Sequence, residues 1–251
     1  MKLVVDNGNT RAKVAVFSDD GEEVLLYNWQ QPTLQDYQKL LSQYEIDAAL
    51  ICSVGAFSDE IFVFLKKSIP LVIQLDENTP LPLKNGYATP KTLGYDRLAV
   101  AVGANYLHPD KPLLIIDAGT AITYEFVSED NTYCGGNIAP GVSMRMRSMH
   151  DYTQKLPLLE PCQTDVPAGA MGDNTHDAMC WGVIVGMTYE IEGYIEAMKA
   201  KYPSILIFLT GGDAFFFERR LKSSIFVSPN LLLLGLYCIL RYNQCLQIDQ
   251  Q

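Results

Sequence analysis

Positive charge is scarce in this 251-residue sequence, where 19 Lys and Arg stand against 29 Asp and Glu for a formal net charge of −10. No segment gathers basic residues into a cluster. Binding to the phosphates of a nucleic acid depends on such a cluster, and so does attraction to an anionic membrane surface. The sequence therefore predicts neither a nucleic acid nor a membrane as partner. An anion would have to be bound locally, by backbone N–H groups and a few placed cations.

Long apolar runs are also missing. A membrane-spanning helix needs about 20 apolar residues, and the most apolar segment, LLLLGLYCIL near the end, has half that length. The opening segment MKLVVDNGNT turns polar too early for a secretory leader. The six cysteines include no CxxC pair, and Cys52, Cys180 and Cys238 lie in apolar stretches. We therefore expect a cytoplasmic protein with reduced, mostly buried cysteines.

What the sequence does contain is a pattern of strands and helices that occurs twice. The apolar segments KLVVD and RAKVAVF flank a polar turn, and a third strand, EEVLLYNW, follows them. The same arrangement returns in PLLIIDAGTAITYEFV and NTYCGGNIAP, about 110 residues later. This internal repeat predicts two similar α/β halves with mixed sheets, facing one another. The Pro- and Gly-bearing stretch 76–93 is the clearest break in the chain.

Each repeat places an Asp-x-Gly turn after its first strand, Asp6-Asn-Gly-Asn-Thr10 in one and Asp117-Ala-Gly-Thr120 in the other. Gly lets backbone N–H groups approach an anion, and the Asp can hold a cation that bridges phosphate oxygens. One such turn is typical of an ordinary hairpin, but two favour a nucleotide triphosphate with its metal. Lys13 follows the first turn and is either a phosphate ligand or a solvated strand residue.

Three further segments permit both a structural and a functional interpretation. The corner LTGGDA, residues 209–214, precedes a helix whose positive N-terminal end suits a nucleotide. GGNIAPGVSM either allows a close backbone crossing or lies near substrate. In GDNTHDA, Thr175 is either a helix cap or a contact to a polar substrate. The helix that follows carries Gly182 and Gly186, a spacing that predicts close helix packing within the subunit or across a dimer.

The stretch TLGYDRLAVAVGA begins an apolar helix with two adjacent charges, Asp96 and Arg97. Adjacent side chains on a helix point about 100° apart and do not face each other. A phosphoryl-transfer enzyme needs a carboxylate to accept the proton of the attacking hydroxyl, which suits Asp96. Arg97 suits a substrate carboxylate or developing charge, and Gly94 gives a ligand room. The alternative is a first-turn acid favoured by the helix dipole, beside a surface arginine.

Taken together in order and spacing, these motifs resemble the type III pantothenate kinases over essentially the whole chain. The motifs are Asp6-x-Gly-Asn-Thr10-x-x-Lys13, Gly94-x-Asp-Arg97, Asp117-x-Gly-Thr-Ala121-x-Thr123, Gly135-Gly-x-Ile-x-Pro-Gly141, Gly172-x-Asn-Thr175 and Thr210-Gly-Gly212. The resemblance implies the acetate and sugar kinase/Hsp70/actin fold, an α/β fold with two ribonuclease-H-like domains around an active-site cleft. We place these domains at residues 1–108 and 109–251.

The resemblance also implies an activity, its cofactors and an assembly. The activity is ATP-dependent phosphorylation of the primary hydroxyl of pantothenate to 4'-phosphopantothenate, the first committed step toward coenzyme A. The cofactors are a divalent cation with ATP, Mg²⁺ above all, and an activating monovalent cation, K⁺ or NH₄⁺. The assembly is a homodimer.

Carried over position by position, the resemblance assigns a role to each candidate site residue. ATP binding falls to Asp6, Asn7, Gly8, Asn9, Thr10, Arg11, Ala12, Lys13 and Thr120. Substrate binding falls to Tyr87, Gly94, Tyr95, Asp96, Arg97 and Thr175. Asp96 matches the catalytic base, and Asp117 matches the ligand of the monovalent cation.

Three alternatives stay open at this stage. Another kinase of the same fold would act on a sugar or a short acid, although Arg97 favours a substrate with a carboxylate. A non-catalytic actin-like ATP-binding protein would need no base at Asp96. A metal-dependent nuclease on a ribonuclease-H-like fold is disfavoured by the net charge of −10.

Overall fold

The computed structural model describes residues 1–8, 11–53, 57–160, 169 and 171–248. Its strands are β1 Lys2–Asn7, β2 Ala12–Phe17, β3 Glu23–Trp29, β4 Ala48–Ser53, β5 Leu71–Gln74, β6 Lys84–Asn85, β7 Leu113–Ala118, β8 Ala121–Val127, β9 Thr132–Pro140, β10 Leu206–Thr210 and β11 Phe226–Val227. Its α-helices are α1 Leu34–Gln43, α2 Asp59–Ser68, α3 Tyr95–Leu107, α4 Val142–Asp151, α5 Thr175–Lys201, α6 Ala214–Glu218 and α7 Leu231–Ile248. A short 3₁₀ turn at Pro90–Thr92 precedes α3.

The contacts divide the chain into two compact units, Met1–Pro109 with Leu231–Gln251, and Asp110–Asn230. In the first unit the strand order is β3-β2-β1-β4-β5, with β1, β2 and β3 antiparallel and β4 and β5 parallel to β1. In the second unit the order β11-β10-β7-β8-β9 repeats that arrangement, with β7, β8 and β9 antiparallel and β10 and β11 parallel to β7. The predicted α/β class with two mixed sheets is confirmed.

The core of the first unit lies between one face of its sheet and the helices α1 and α2. The alternating residues of β1 and β2 supply Leu3, Val5, Val14 and Val16, and the helices contribute Leu40 and Leu65. Thr33 caps α1: the Thr33 hydroxyl accepts from the Asp36 N–H, and the Asp36 carboxylate accepts from the Thr33 N–H at 2.8 Å. This packing fixes β1, whose C-terminal end carries the candidate site residues Asp6 and Asn7, and its neighbour β4.

The core of the second unit is built against α5, the longest helix. Leu114 and Ile116 of β7 and Ile122 and Tyr124 of β8 pack against α5 residues including Ile184, Met187 and Ile191. Because alternate residues of a strand point to opposite faces, Asp117 and Thr123 leave this apolar layer. The core therefore holds the β7–β8 turn in place.

Helix α7 packs with the first unit, although the predicted domain 109–251 places it with the second. It lies along α3 and against β1 and β4. Two glycines permit the contact: a Cβ on Gly235 would overlap the carbonyl of Ala99, and one on Gly103 would overlap the carbonyl of Leu231. α3 and α7 therefore touch backbone to backbone, a tertiary contact that chain order does not reveal.

The three cysteines that lie in apolar stretches of the sequence are buried, as their context predicts. Cys52, Cys180 and Cys238 are free and buried, whereas Cys134 and Cys245 are free and exposed. Cys162 lies outside the described residues. No helix in the described part of the chain combines the length and apolar content that crossing a bilayer requires.

Candidate functional site

The β1–β2 turn carries the first predicted phosphate segment. Asp6 stands opposite Lys13 across the two strands, and the Gly8 N–H donates to the Arg11 carbonyl at 3.1 Å. Ala12 is buried in the sheet, and Arg11 is exposed. Asn9 and Thr10 lie outside the described residues, so their predicted contacts remain predictions. The part of the turn that the structure describes brings a carboxylate and a lysine to one end of the hairpin.

Strand β4 adds two side chains that the sequence did not single out. Cys52 pairs in register with Asp6, and Ser53 pairs with Asn7, whose side-chain amide donates to the Ser53 hydroxyl at 2.9 Å. Burial raises the pKa of the Cys52 thiol, and the carboxylates of Asp6 and Asp96 raise it further. The thiol is therefore protonated near neutral pH. Because both carboxylates raise the pKa of this thiol, the end of β1 and the start of α3 lie near one another.

The start of α3 fixes the carboxylate of Asp96. Gly94 is the N-cap residue, and the Arg97 N–H donates to Asp96 Oδ1 at 2.9 Å. This bond folds the carboxylate back over the helix start, so that a Cβ on Gly94 would overlap Asp96 Oδ1. The absence of a side chain at Gly94 thus leaves space for the carboxylate of this chain, in addition to any ligand. Asp96 remains partly exposed and holds a defined position.

Arg97 is buried, with 7 % of its surface exposed, and its guanidinium carbon lies 5.9 Å from the centre of the Tyr87 ring. That distance is within the range of a cation–π interaction. Tyr87 is itself held by a bond from its N–H to the Asn85 side chain at 3.0 Å. The structure therefore brings together Tyr87 and the segment Gly94–Arg97, which the sequence assigns to one substrate.

Tyr95 completes that segment in a polar setting. Burial raises the pKa of its phenol, and the carboxylates of Glu77 and Asp76 raise it further. The phenol therefore stays neutral at physiological pH and keeps its hydrogen-bonding proton. It can donate a hydrogen bond but cannot serve as the base.

In the second unit three turns meet around Asp117. This residue pairs with Thr210 at the end of β10, and a Cβ on Gly211 would overlap Asp117 Oδ1. Gly211 has a φ of +93°, in the region that side chains other than glycine rarely adopt. The Gly141 N–H donates to the Thr120 carbonyl at 3.1 Å, so the turn before α4 rests on the Asp117–Thr120 turn. Backbone and carboxylate oxygens are therefore concentrated at one point.

Such oxygens are the ligands that hard cations prefer. In the described residues no group of three or more His, Cys, Asp or Glu side chains is arranged to hold a metal ion. A cation at Asp117 would accordingly take its remaining ligands from backbone carbonyls, water or a bound phosphate. The donor set fits a monovalent cation or a nucleotide-bound divalent one better than a structural metal centre.

Asp213 lies beside the Asp117 and Gly211 turns, and no sequence motif indicated it as a site residue. Its N–H donates to the Ala118 carbonyl at 2.9 Å, and burial raises the pKa of its carboxyl. A partly buried acid beside the Gly211 turn is suited to a polar ligand rather than to packing. The signal was its position directly after the two glycines of LTGGDA.

Thr175 is the first residue of α5 and is exposed, as its sequence context predicts. The cap itself is Asn174, whose side chain accepts from the Asp177 N–H at 3.0 Å. Within the described part of the chain the Thr175 hydroxyl forms no hydrogen bond. A capping role is thus filled by Asn174, which leaves the hydroxyl available to a ligand.

A network of side chains supports the turn that rests on Thr120. Arg145 Nε donates to the Pro140 carbonyl at 2.8 Å, and Arg145 Nη2 contacts Glu190 Oε2 at 2.6 Å. The other oxygen of Glu190 accepts from the Tyr124 hydroxyl at 2.9 Å. Helix α5 is thereby tied to the turn before α4. No sequence pattern predicts this network, because Tyr124 and Glu190 are 66 positions apart.

We expect Arg145→Gln to lower the free energy of unfolding by about 1–3 kcal/mol, because it leaves partners of a partly buried charge unpaired. Arg147→Gln on the same helix is the matched control. Its ion pair with Asp151 spans 3.7 Å between side chains that are 74 % and 52 % exposed. Such a surface pair contributes about 0–1 kcal/mol. Urea unfolding measures both, and equal losses for the two variants would contradict the expectation.

Comparison with known proteins agrees with the resemblance. Residues 2–197 match the model of a family described as "Type III pantothenate kinase". A type III pantothenate kinase of Bacteroides fragilis is 45 % identical over 97 % of this chain and 98 % of its own. One of Phocaeicola vulgatus is 43 % identical over 97 % of this chain and 99 % of its own.

The solved structures extend the likeness to the fold. An activator of 2-hydroxyisocaproyl-CoA dehydratase from Clostridium difficile, solved with bound ADPNP, has a TM-score of 0.54 at 14 % identity. The likeness covers 98 % of this chain and 97 % of that one. This structural likeness supports the actin-like ATPase fold that the motifs predict. The matches in sequence assign the family. The chain belongs to the type III pantothenate kinase family.

Proposed function

We propose that this protein uses ATP to phosphorylate pantothenate to 4'-phosphopantothenate, the first step of coenzyme A biosynthesis. Family membership supports the reaction, and one observation in this chain carries it: Asp96 is held over Gly94 beside the buried cation of Arg97. A base and a carboxylate-binding cation next to each other suit a small acid that also carries a hydroxyl. Pantothenate has both groups.

Asp96 acts as the general base. The primary hydroxyl of pantothenate attacks the γ-phosphorus of ATP, the bond from that phosphorus to the β,γ-bridging oxygen breaks, and ADP leaves. The hydroxyl proton passes to the Asp96 carboxylate as the new P–O bond forms. The bond from the Arg97 N–H keeps one carboxylate oxygen oriented, so the other is free to accept the proton.

Arg97 binds the carboxylate of pantothenate. A guanidinium offers paired N–H donors in a geometry that matches a carboxylate, and its low exposure strengthens the attraction. The Tyr87 ring holds the guanidinium in place from one side. This pairing favours pantothenate over the alternative of a sugar substrate, whose hydroxyls do not need a cation.

Residues Asp6 to Lys13, with Thr120, contact the phosphates of ATP. A divalent cation bound with ATP would supply positive charge to the β- and γ-phosphates. Asp6 would orient a water or ligand of that cation, and Lys13, its partner across the two strands, would meet a phosphate oxygen. The Thr120 residue is exposed at its turn and adds a donor.

The monovalent cation binds at Asp117. We expect Asp117→Asn to raise the K⁺ concentration needed for half-maximal activity by about tenfold or more, because one full charge near the ion is lost. Steady-state rates across a K⁺ titration at constant ionic strength measure this change. Asp130→Asn, an exposed acid of the β8–β9 turn, is the control and should leave the titration unchanged. An unaltered K⁺ dependence in Asp117→Asn would refute the assignment.

ADP release measured with and without pantothenate tests the function. We expect pantothenate to stimulate turnover and the product to be its phosphomonoester. Turnover that pantothenate does not change would overturn the substrate and favour a different small-molecule kinase of this fold. ATP binding without turnover on any acceptor would favour the non-catalytic actin-like alternative.

The protein works as a homodimer in which α5 supplies the contact and Thr175 reaches the substrate. Gly182 and Gly186 support this proposal, because a Cβ on either meets no atom within 4 Å in the described chain. We expect Gly186→Leu to shift the protein from dimer to monomer without loss of fold, as measured by light scattering. Lys39→Leu, at an exposed position of α1, is the control for the effect of an added surface leucine on solubility. A monomeric wild-type protein at micromolar concentration would contradict the proposal.

A further inference from the structure

The first unit contains a cavity of about 540 Å³ whose lining includes none of the candidate site residues discussed above. One wall is the C-terminal half of α3, where Val102, Asn105 and Tyr106 share a face at helical spacing. The opposite wall is α7, with Tyr237, Arg241 and others at the same kind of spacing. This volume lies within the 300–1,000 Å³ range of small-molecule sites. Its first lining residue on α3, Val102, is six residues, about 9 Å, beyond Asp96 along the helix.

The lining is mostly aromatic and apolar. Tyr237 is the buried floor: its ring stacks on Phe17 at 4.8 Å, and its hydroxyl donates to the Asp19 carbonyl at 3.2 Å. Tyr106 and Tyr242 stand at the rim and are 58 % and 37 % exposed. Exposed rings around a concave apolar surface suit a planar aromatic ligand, which can stack against them.

Two polar groups of the lining have unused hydrogen-bonding capacity. The side-chain oxygen of Asn105 is buried and accepts no hydrogen bond from any residue that the structure describes. A buried acceptor of this kind is costly to leave unpaired. A ligand with an N–H or O–H donor would remove that cost.

Arg241 is the second of these groups. Its Nη1 donates to the Asp19 carbonyl at 3.3 Å and lies 3.9 Å from the Asp19 carboxylate. Its Nε and Nη2 have no partner among the described residues. Asp19 is more tightly engaged by Lys2, at 2.9 Å, so it neutralises Arg241 only in part. The open side of the guanidinium can therefore pair with an anion, against the charge of Asp20, which also lines the cavity.

We propose that this cavity is a second small-molecule site, specific for a planar aromatic carboxylate that carries a ring N–H or O–H donor. The ring stacks between the rim tyrosines, the donor bonds to Asn105, and the carboxylate pairs with Arg241. The site is distinct from the kinase site, because none of its lining residues takes part in the proposed phosphoryl transfer.

Calorimetry on the full-length protein with three probes tests the proposal. Indole-3-acetate has every required group, naphthalene-1-acetate lacks the ring N–H, and tryptamine carries the opposite charge. We expect saturable binding of indole-3-acetate with a Kd of about 1 mM or tighter. The other two probes should bind about five- to tenfold more weakly. No saturable binding, or tighter binding of tryptamine, would overturn the proposal.

Variants assign the binding to the cavity. Arg241→Gln should weaken indole-3-acetate by about five- to tenfold and leave neutral indole unchanged. Asn105→Ala should remove the preference for indole-3-acetate over naphthalene-1-acetate. Unchanged binding in both variants would place the ligand elsewhere and refute the proposal. ATP and pantothenate together should not displace the probe, whereas displacement would show that it occupies the kinase site.

A measurement on the unaltered chain guards against variants that fail to fold. Cys245 is an exposed thiol in the cavity wall, whereas Cys134 is an exposed thiol in the second unit. Indole-3-acetate should slow the modification of Cys245 by a thiol reagent and leave Cys134 unaffected, as followed by peptide mass spectrometry. Equal rates with and without the probe would count against the site.

Discussion

Asp96→Asn is expected to lower kcat by about 10²- to 10⁴-fold, the range typical of losing a positioned general base. The amide has the same shape and can still accept a hydrogen bond from the Arg97 N–H, so the start of α3 should be preserved. It cannot take up the proton of the attacking hydroxyl. The loss should therefore fall on kcat, with a smaller change in the KM for pantothenate, measured by coupled ADP release under saturating ATP.

A control variant separates the loss of the general base from the loss of a favourable charge at the helix N-terminus. Asp59 is an exposed acid in the first turn of α2, and Asp96 likewise lies in the first turn of α3. An acid there contributes about 0.3–1 kcal/mol to stability through the dipole. Asp59→Asn and Asp96→Asn should therefore lose similar stability, while only Asp96→Asn loses activity. If Asp96→Asn keeps more than about a tenth of wild-type kcat, the base is another group.

Sequence alone predicted the sheets well, because their signal is local. A buried parallel strand such as β4 is a short apolar run, and the β1–β2 and β7–β8 hairpins carry their turns in consecutive residues. The antiparallel hairpin that begins each unit's sheet follows from the repeated Asp-x-Gly turns. Local periodicity and turn chemistry were sufficient for these elements.

Candidate site residues were predictable where a motif is continuous along the chain. Gly94, Asp96 and Arg97 are close in sequence, and the structure adds only how they are arranged. Cys52 was classed as a buried hydrophobe, which is correct, yet its position between two carboxylates depends on the β1–β4 register. A single sequence does not contain that register, because it arises from pairing across 46 positions.

The packing of α7 was the least predictable feature, and the reason is physical. An apolar helix at the end of a chain can be covered by either neighbouring unit, and the choice depends on which surface fits it. Here Gly103 and Gly235 let α3 and α7 approach backbone to backbone. In sequence these glycines look like ordinary weak points of two helices.

Gly235→Ala should therefore destabilise the protein, although alanine is the better helix former by about 1 kcal/mol. The new Cβ would overlap the Ala99 carbonyl and lie 3.1 Å from the Gly103 nitrogen, and backbone atoms cannot move aside as a flexible side chain can. Overpacking of this kind costs about 1–3 kcal/mol. For a chain of this size the loss corresponds to a fall in Tm of roughly 2–4 °C per kcal/mol.

Gly193→Ala on α5 is the matched control, since its Cβ would meet no atom within 4 Å in the described chain. There only helix propensity acts, so stability should rise by up to about 1 kcal/mol. The two glycine-to-alanine changes thus have opposite expected signs in thermal unfolding. Because α3 carries Asp96 and Arg97 at its start, a shift of α3 in Gly235→Ala should also lower kcat at temperatures where the variant is folded. A Gly235→Ala protein as stable and active as wild type would mean that the two helices are not in backbone contact in solution.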